Sequence, residues 1–271
     1  MTGTPRTDPG LFGPDSLSWR VHRETTVLFG GARALLMHAA HPLVIAGATE
    51  TRFYERNPWR RLERTLALTY SLTFGTKEEA LAAADRINEV HRRVRGVDRV
   101  TGKPYDAMDP GLLLWVHACL VDSALLFERL TVGRLTRTER ERFHREQMVG
   151  AELLGLSRDR IPPTVAGLRA YVADVVAGDD LRVTEAARRV AALIRAPPSE
   201  AEWRPVLRAV AWWAFGTLPA RLRAMYGVRW GPGRDTVLRA SLAALRAGRP
   251  GIPRRFRWIL PAQLAADRLA A

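Results

Sequence analysis

Arg61, Thr65 and His91 are the residues of this chain whose types and spacing could do chemistry together. Arg61 and Thr65 stand four apart in Asn57-Pro-Trp-Arg-Arg-Leu-Glu-Arg-Thr-Leu66, so on a helix the cation and the hydroxyl share one face. His91 follows 26 residues after Thr65, in Ile87-Asn-Glu-Val-His-Arg-Arg-Val-Arg-Gly96. It falls on the apolar stripe of the next predicted helix, where an imidazole could reach a buried metal. The chemistry that suits this set is a haem pocket: a neutral imidazole on one side of an iron, an open position on the other, and polar groups that tune bound oxygen.

Histidine supply decides how far this goes. There are six: His22, His38, His41, His91, His117 and His144. His91 is flanked by Arg92, Arg93 and Arg95, which suit haem propionates through charge-assisted bonds and equally suit a solvated charged face. His117 lies in a segment that is apolar nearly all round, so its ring nitrogens need partners or incur a desolvation cost. A pocket role meets that need, and so does a bond to a backbone carbonyl or a buried carboxylate. His38 and His41 are three apart, but Pro42 interrupts the helical pattern at that point, and both read as structural. Glu141-Arg-Phe-His144 has the Glu-x-x-His spacing of carboxylate-bridged di-iron bundles, but such sites use two copies and only one is present. A serine nucleophile motif, a phosphate-binding loop and a dinucleotide fingerprint are all absent, which sets hydrolase and nucleotide chemistry aside.

The elements that must position these residues read as helices. Ser16 or Ser18 can cap a helix through Leu28 towards His38, with Gly30 and Gly31 able to bend or split it. Pro42 and Pro58 suit first helical turns. The Pro58 helix runs to about Thr73, with Leu62, Leu66, Thr69 and Thr73 on one face and Arg61, Thr65, Leu68 and Leu72 beside it, and Gly75 ends it. Thr76 and Glu79 have capping-box spacing, and the helix they start carries Leu81, Ala84, Ile87, His91 and Val94 at helical intervals, which turns His91 inward. Asp109-Pro110 starts an apolar helix holding Trp115, His117 and Asp122. Thr136 or Thr138 starts an amphipathic one through Leu154 to Gly155. Further helical patterns fall at about 164–177, 183–195, 199–217 and 232–247. Strand-type alternation is nearly absent, so the fold class is all-α: a single large globular domain over 16–271 with eight or more helices, behind a flexible segment over 1–15.

Composition agrees with that class and bounds the partners. A hydrophobic fraction of 47% in 271 residues excludes a disordered or fibrous chain. The net charge of +14 is almost all arginine, since Lys77 and Lys103 are the only lysines. The arginines are scattered except in Arg249-Pro-Gly-Ile-Pro-Arg-Arg-Phe-Arg-Trp258, and no nucleic-acid motif accompanies them, so nucleic acid is not expected as a partner. Cys119 is the sole cysteine, which excludes an internal disulfide and fits the cytoplasm. The N-terminus lacks the apolar region of a secretory signal. The strongest apolar run, Gly111 to Val121, is shorter than the roughly 20 residues of a bilayer span, so a buried core helix is expected and stable membrane insertion is not.

With those residues in view, the chain resembles the DUF2236 family, the oxygenase domain shared by the mycophenolate-pathway oxygenase and the latex-clearing rubber oxygenase. The resemblance runs from about Ser18 to Leu260. It is carried by Trp19-Arg-Val-His-Arg-Glu24, His41-Pro-Leu-Val-Ile-Ala-Gly47, Arg61-Leu-Glu-Arg-Thr65, Phe74-Gly-Thr76, Val90-His-Arg-Arg-Val-Arg-Gly96, Asp109-Pro-Gly-Leu-Leu-Leu-Trp-Val-His117 and Tyr226-Gly-Val-Arg-Trp230. It implies an all-helical fold holding haem b, with His91 as iron ligand and Arg61 and Thr65 as polar residues near the haem. Arg64 falls where the rubber oxygenase carries a lysine. Lysine can lose its proton and act as a base or ligand, whereas arginine stays charged, so polyisoprene cleavage by that route is not expected.

The function expected is therefore haem-dependent oxidation or cleavage, by O₂, of a lipophilic small molecule with an alkene or similar electron-rich group. Arg61 and Arg64 would stabilise charge or grip a propionate, and Thr65 would donate a hydrogen bond. His117 and Trp115 would lie at the cofactor, with Trp115, Leu113 and Leu114 along the substrate path. Glu146 matches a commonly acidic family position. A di-iron oxidase around Glu141 and His144, and a non-catalytic haem- or lipid-binding protein, stand as the other readings.

Overall fold

The computed structural model describes residues 8–49, 58–196 and 202–270, with the side chains of 58, 59 and 61 outside the description. Along the chain run α1 (Leu17–His22), α2 (Thr25–Leu28), α3 (Gly30–Ala39), α4 (Pro42–Thr49), α5 (Pro58–Phe74) and α6 (Lys77–His91). A two-stranded antiparallel sheet, β1 (Arg95–Val97) and β2 (Pro104–Asp106), leads to α7 (Pro110–Phe127), with Gly96 opposite Tyr105. Then come α8 (Arg137–Leu153), α9 (Val165–Ala177), α10 (Glu185–Arg195), α11 (Arg204–Gly216), α12 (Ala220–Met225), α13 (Pro232–Gly248), α14 (Arg254–Arg257) and α15 (Leu260–Ala270). The fold is one all-α domain, as expected.

The centre of the fold is α7, and its start is dictated by its sequence. The Asp109 carboxylate accepts from the Gly111 and Leu112 amides at 2.8 and 3.0 Å, and Pro110 needs no amide partner in the first turn. Trp115, Ala118, Cys119, Val121, Leu125 and Phe127 are then buried on it. The helix continues through a π turn (Glu128–Val132) to Gly133, whose φ of 63° ends it. Counted with that turn, Pro110–Val132 is 23 residues and is long and apolar enough to cross a bilayer by length and composition. The apolar element is therefore longer than the run read from the sequence. It also packs within the protein, against α2, α3, α8 and α9.

Contact between α7 and α3 is close because a Cβ on Gly30 would meet the Phe127 ring and the Ser123 carbonyl at 3.0 Å. Arg33 of α3 reaches Asp122 at 2.9 Å and donates to Ser123 Oγ at 2.7 Å, so the one carboxylate on α7 is paired in the interior. A main core gathers α1, α3, α4, α7, α9, α10 and α11, and a smaller one joins Trp19 to Tyr70 and Phe74 of α5 and Ala262 and Ala265 of α15.

Several expected elements change in detail. The helix read from Ser16 to His38 is three helices, because Glu24 is extended and pairs with Trp258 while the Arg23 carbonyl accepts from Ile259 at 2.8 Å. The first break therefore comes from the far end of the chain, ahead of Gly30. Leu81 of α6 is 40% exposed, and α6 ends at His91, leaving Val94 beyond it with its carbonyl taken by Ala107. The sheet, α12, α14 and α15 go beyond the elements read from the sequence. Of the flexible segment expected over 1–15, residues 1–7 lie outside the described residues. Within 8–15, the Asp8 carboxylate accepts from the Lys77 amide at 2.9 Å and Phe12 is buried.

Candidate active site

α5 and α6 form an antiparallel hairpin. Only Gly75 and Thr76 separate them, and Leu68 and Leu72 of one helix meet Ala83, Ala84 and Ile87 of the other. Both halves of the expected capping box are present, with the Glu79 amide on Thr76 Oγ1 at 3.2 Å and the Thr76 amide on Glu79 Oε2 at 2.8 Å. Both arms rise about 1.5 Å per residue, so Arg61, equally far from the turn, stands level with the last turn of α6 and His91. Spacing in the sequence thus sets both residues at the open end of one hairpin. The Arg61 side chain and residues 50–57 lie outside the described residues.

His91 is half-buried, and its Nδ1 is buried with no hydrogen-bond partner. Burial lowers its pKa below the ordinary imidazole value, which favours the neutral ring whose lone pair a metal needs. One turn earlier, Asn88 is buried and donates from Nδ2 to the Leu153 carbonyl at 2.8 Å, while its Oδ1 has no partner. Asn88 was missed from the sequence, although a polar residue three before a histidine on an apolar stripe is a readable signal. The segment after His91 is clamped. A Cβ on Gly47 would approach Val94 Cγ1 to 3.0 Å, and one on Gly96 would come within 2.6 Å of Tyr105 Oη.

Arg64 and Thr65, expected as polar residues at the haem, are both exposed. Tyr70, Leu72, Thr73 and Phe74 are the buried part of α5, because α15 and α1 cover only its second half. Around His91, Arg93 pairs with Glu89 at 2.5 Å and Arg95 donates to the Arg92 carbonyl at 2.6 Å, all on an exposed face.

The candidates on α7 separate into two groups. Trp115 is buried in the main core with Nε1 unpartnered. Leu113 and Leu114 instead pack with Met148, Ala151, Leu156 and Ile161. Trp115 and the two leucines, expected along one substrate path, therefore pack in different clusters. His117 is half-buried with Nε2 buried and unpartnered, and desolvation, then the nearby His144 imidazole, pushes its pKa down to about 4. Leu153 and Leu154, at the end of α8, join the hairpin cluster, so the ends of α6 and α8 and the start of α7 converge. Beside them an open cleft of about 720 Å³ is lined by Glu152, Gly155, Leu156, Ser157, Arg158 and Asp159.

Other expected residues serve the frame. His38 bonds the Val116 carbonyl at 3.1 Å, and His22 bonds Gln147 at 3.2 Å. His41 has a buried, unpartnered Nδ1. Glu146 accepts from the Ser18 amide at 2.7 Å and from Arg142 at 2.9 Å, so it holds α1 to α8. Glu141 accepts from the Val165 amide at 3.0 Å and His144 bonds the Pro162 carbonyl at 2.7 Å, which occupies the Glu-x-x-His pair with anchoring α9. Among the described residues there is no group of three or more His, Cys, Asp or Glu able to hold a metal ion. A haem needs only one protein ligand, and His91 has the neutral, partly buried ring for it.

The sequence pattern of a family described as ER-bound oxygenase mpaB/B′/rubber oxygenase, catalytic domain, matches residues 19–247. The chain is also similar to an uncharacterized protein of Mycobacterium bovis and to one of Mycobacterium tuberculosis. Each is 27% identical over 249 residues, covering 88% of this chain and 88% of the relative. No solved structure matches the chain.

Proposed function

The chain belongs to the mpaB/B′ and rubber oxygenase catalytic-domain family, and from that premise we propose that it is a haem b-dependent oxygenase of a lipophilic small molecule carrying an alkene or similar electron-rich group. The observation that carries this is His91: a neutral imidazole, half-buried, with an unpartnered buried nitrogen, on a hairpin whose other arm brings the Arg61 backbone level with it. Haem, when bound, supplies the O₂ chemistry. The chain's own residues hold and tune it. His91 offers its lone pair, and burial keeps the proton off the ring at neutral pH. Arg61 and Arg64 supply charge that deprotonation cannot remove, suited to a propionate or to developing negative charge. Thr65 offers a hydroxyl donor on the same arm.

The aliphatic side chains of Ile87, Leu153 and Leu154 give the surroundings a low polarity that suits both a porphyrin and a lipophilic substrate. The working compartment in this proposal is the cytoplasm, where the buried thiol of Cys119 stays reduced. The family's description names an ER-bound oxygenase.

Absorption spectroscopy of the purified chain is the test. A Soret band that His91→Ala abolishes is the expected result, and a band unchanged in that variant refutes the ligand. Two irons per chain without a Soret band would transfer the function to a di-iron site. Product analysis under O₂ with terpenoid and unsaturated-lipid substrates then identifies the reaction.

A further inference from the structure

The densest arginine run in the sequence ends on a surface that the oxygenase site does not use. Phe256 of α14 is 61% exposed, and Leu260 and Leu264 of α15 are 64% and 61% exposed. Leu260 and Leu264 are four apart and share the outer face of α15, while Ala262 and Ala265 turn in towards Trp19, Tyr70 and Phe74. Gln263 joins the two short helices by donating from Nε2 to the Arg255 and Trp258 carbonyls at 3.1 and 2.8 Å. Phe256 and the two leucines therefore belong to one rigid corner.

Arg254, Arg255 and Arg257 stand at the same corner with no ion-pair partner among the described residues. Arg254 lies over the Trp258 ring at 4.3 Å and Arg255 over Phe256 at 4.8 Å. Cation–π contact of this kind leaves the guanidinium charge intact. The first carboxylate on the outer face of α15 is Asp267, a turn beyond Leu264.

We propose that this corner docks on an anionic lipid bilayer surface, with Phe256, Leu260 and Leu264 entering the headgroup boundary and Arg254, Arg255 and Arg257 held at the phosphate level. Two features favour a bilayer over other partners. Its surface offers negative charge and an apolar layer within a few ångströms of each other, which is the pairing this corner presents. Nucleic acid matches the cations, but it has no use for two exposed leucines beside them. The docking is peripheral and independent of haem.

Each cation near an anionic surface strengthens binding by about five-fold, so three contribute about 100-fold. The test is co-sedimentation of the full chain with phosphatidylcholine vesicles made with and without phosphatidylglycerol, at low and high salt. The wild-type chain is expected on the anionic vesicles. The combined Arg254→Gln, Arg255→Gln, Arg257→Gln variant should bind about 100-fold more weakly, and the combined Phe256→Ser, Leu260→Ser, Leu264→Ser variant should lose the part of binding that survives high salt. Removing equal charge elsewhere, with Arg204→Gln, Arg208→Gln and Arg239→Gln, should change binding much less. Apart from the half-buried Arg257, the substituted residues are exposed, and unchanged far-ultraviolet circular dichroism checks the fold. The proposal is overturned if the corner variants and the distant variant weaken binding equally, which would leave only net charge. It is overturned too if the serine variant binds vesicles like the wild type, if the arginine variant loses duplex DNA but not vesicles, or if the serine variant abolishes a dimer instead.

Discussion

Acid should destabilise this protein well above the pH at which its carboxylates protonate, because its interior holds neutral imidazoles. Desolvation by burial pushes His38 down to about 4, against a smaller opposing effect of its bond to the Val116 carbonyl, and pushes His117 to about 4. In the unfolded chain both return to about 6.5. Between those values the unfolded state binds protons that the folded state refuses, so stability is held above about pH 6.5 and is lost as pH falls towards 4. From about pH 7.5 to pH 5 each group should cost about 2 kcal/mol, and the two together about 4 kcal/mol. His22, His41 and His91 are also lowered, chiefly by burial, and add to the slope in the same direction. Asp and Glu of the unfolded chain titrate near 4, below this window. Urea unfolding across the range measures the effect. His117→Phe should recover about 2 kcal/mol of the loss at about pH 5. A midpoint that stays constant from neutrality to about pH 5, or a His117→Phe variant with the wild-type slope, would refute the assignment of buried neutral rings.

Two further substitutions probe how the ends of the chain and the site are held. Arg249→Met removes the closer partner of buried Glu24, at 2.9 and 2.5 Å, and leaves only Arg23 at 3.7 Å, so it should cost about 3 kcal/mol and lower the melting temperature by about 10 °C. Adding Glu24→Gln should restore part of that loss, since the fully buried carboxylate is then neutral and only the more exposed Arg23 keeps its charge. Gly96→Ala places a Cβ 2.6 Å from Tyr105 Oη, and because Tyr105 is buried the hairpin must shift. The expected cost is about 1–3 kcal/mol in thermal melts, with a weaker iron-dependent absorption band because His91 precedes that hairpin. Gly150→Ala, which meets nothing within 4 Å, is the control and should be neutral or stabilising.

Helix type and helix starts were written locally. Ser16, Thr76, Asp109, Thr136, Thr164 and Thr184 each accept a backbone amide in the first turn of the helix they begin. Such caps act over three residues, and sequence reasoning can see that far. The level placement of the Arg61 and His91 backbones is legible for the same reason, since only a two-residue turn separates the two long helices. Burial along those helices is set by distant residues. Thr65 is exposed although its helix is amphipathic, because the chain segments that cover α5 arrive from residues 17–22 and 260–270 and reach only its second half.

The break at Glu24 likewise waits for Trp258, and the distribution of Leu113, Leu114 and Trp115 between two clusters depends on which side of α7 receives α8. By itself the sequence determined an all-helical chain with a histidine and an arginine on opposite arms of one hairpin, at its open end. Tertiary structure alone decided that the His91 ring is half-buried with an unpartnered Nδ1, that Glu141 and His144 anchor a neighbouring helix, and that Arg254, Arg255 and Arg257 stand without ion-pair partners among the described residues, beside exposed leucines. Local hydrogen bonds and periodicity are encoded within a turn or two, whereas desolvation and charge pairing depend on what the rest of the chain brings against each side chain.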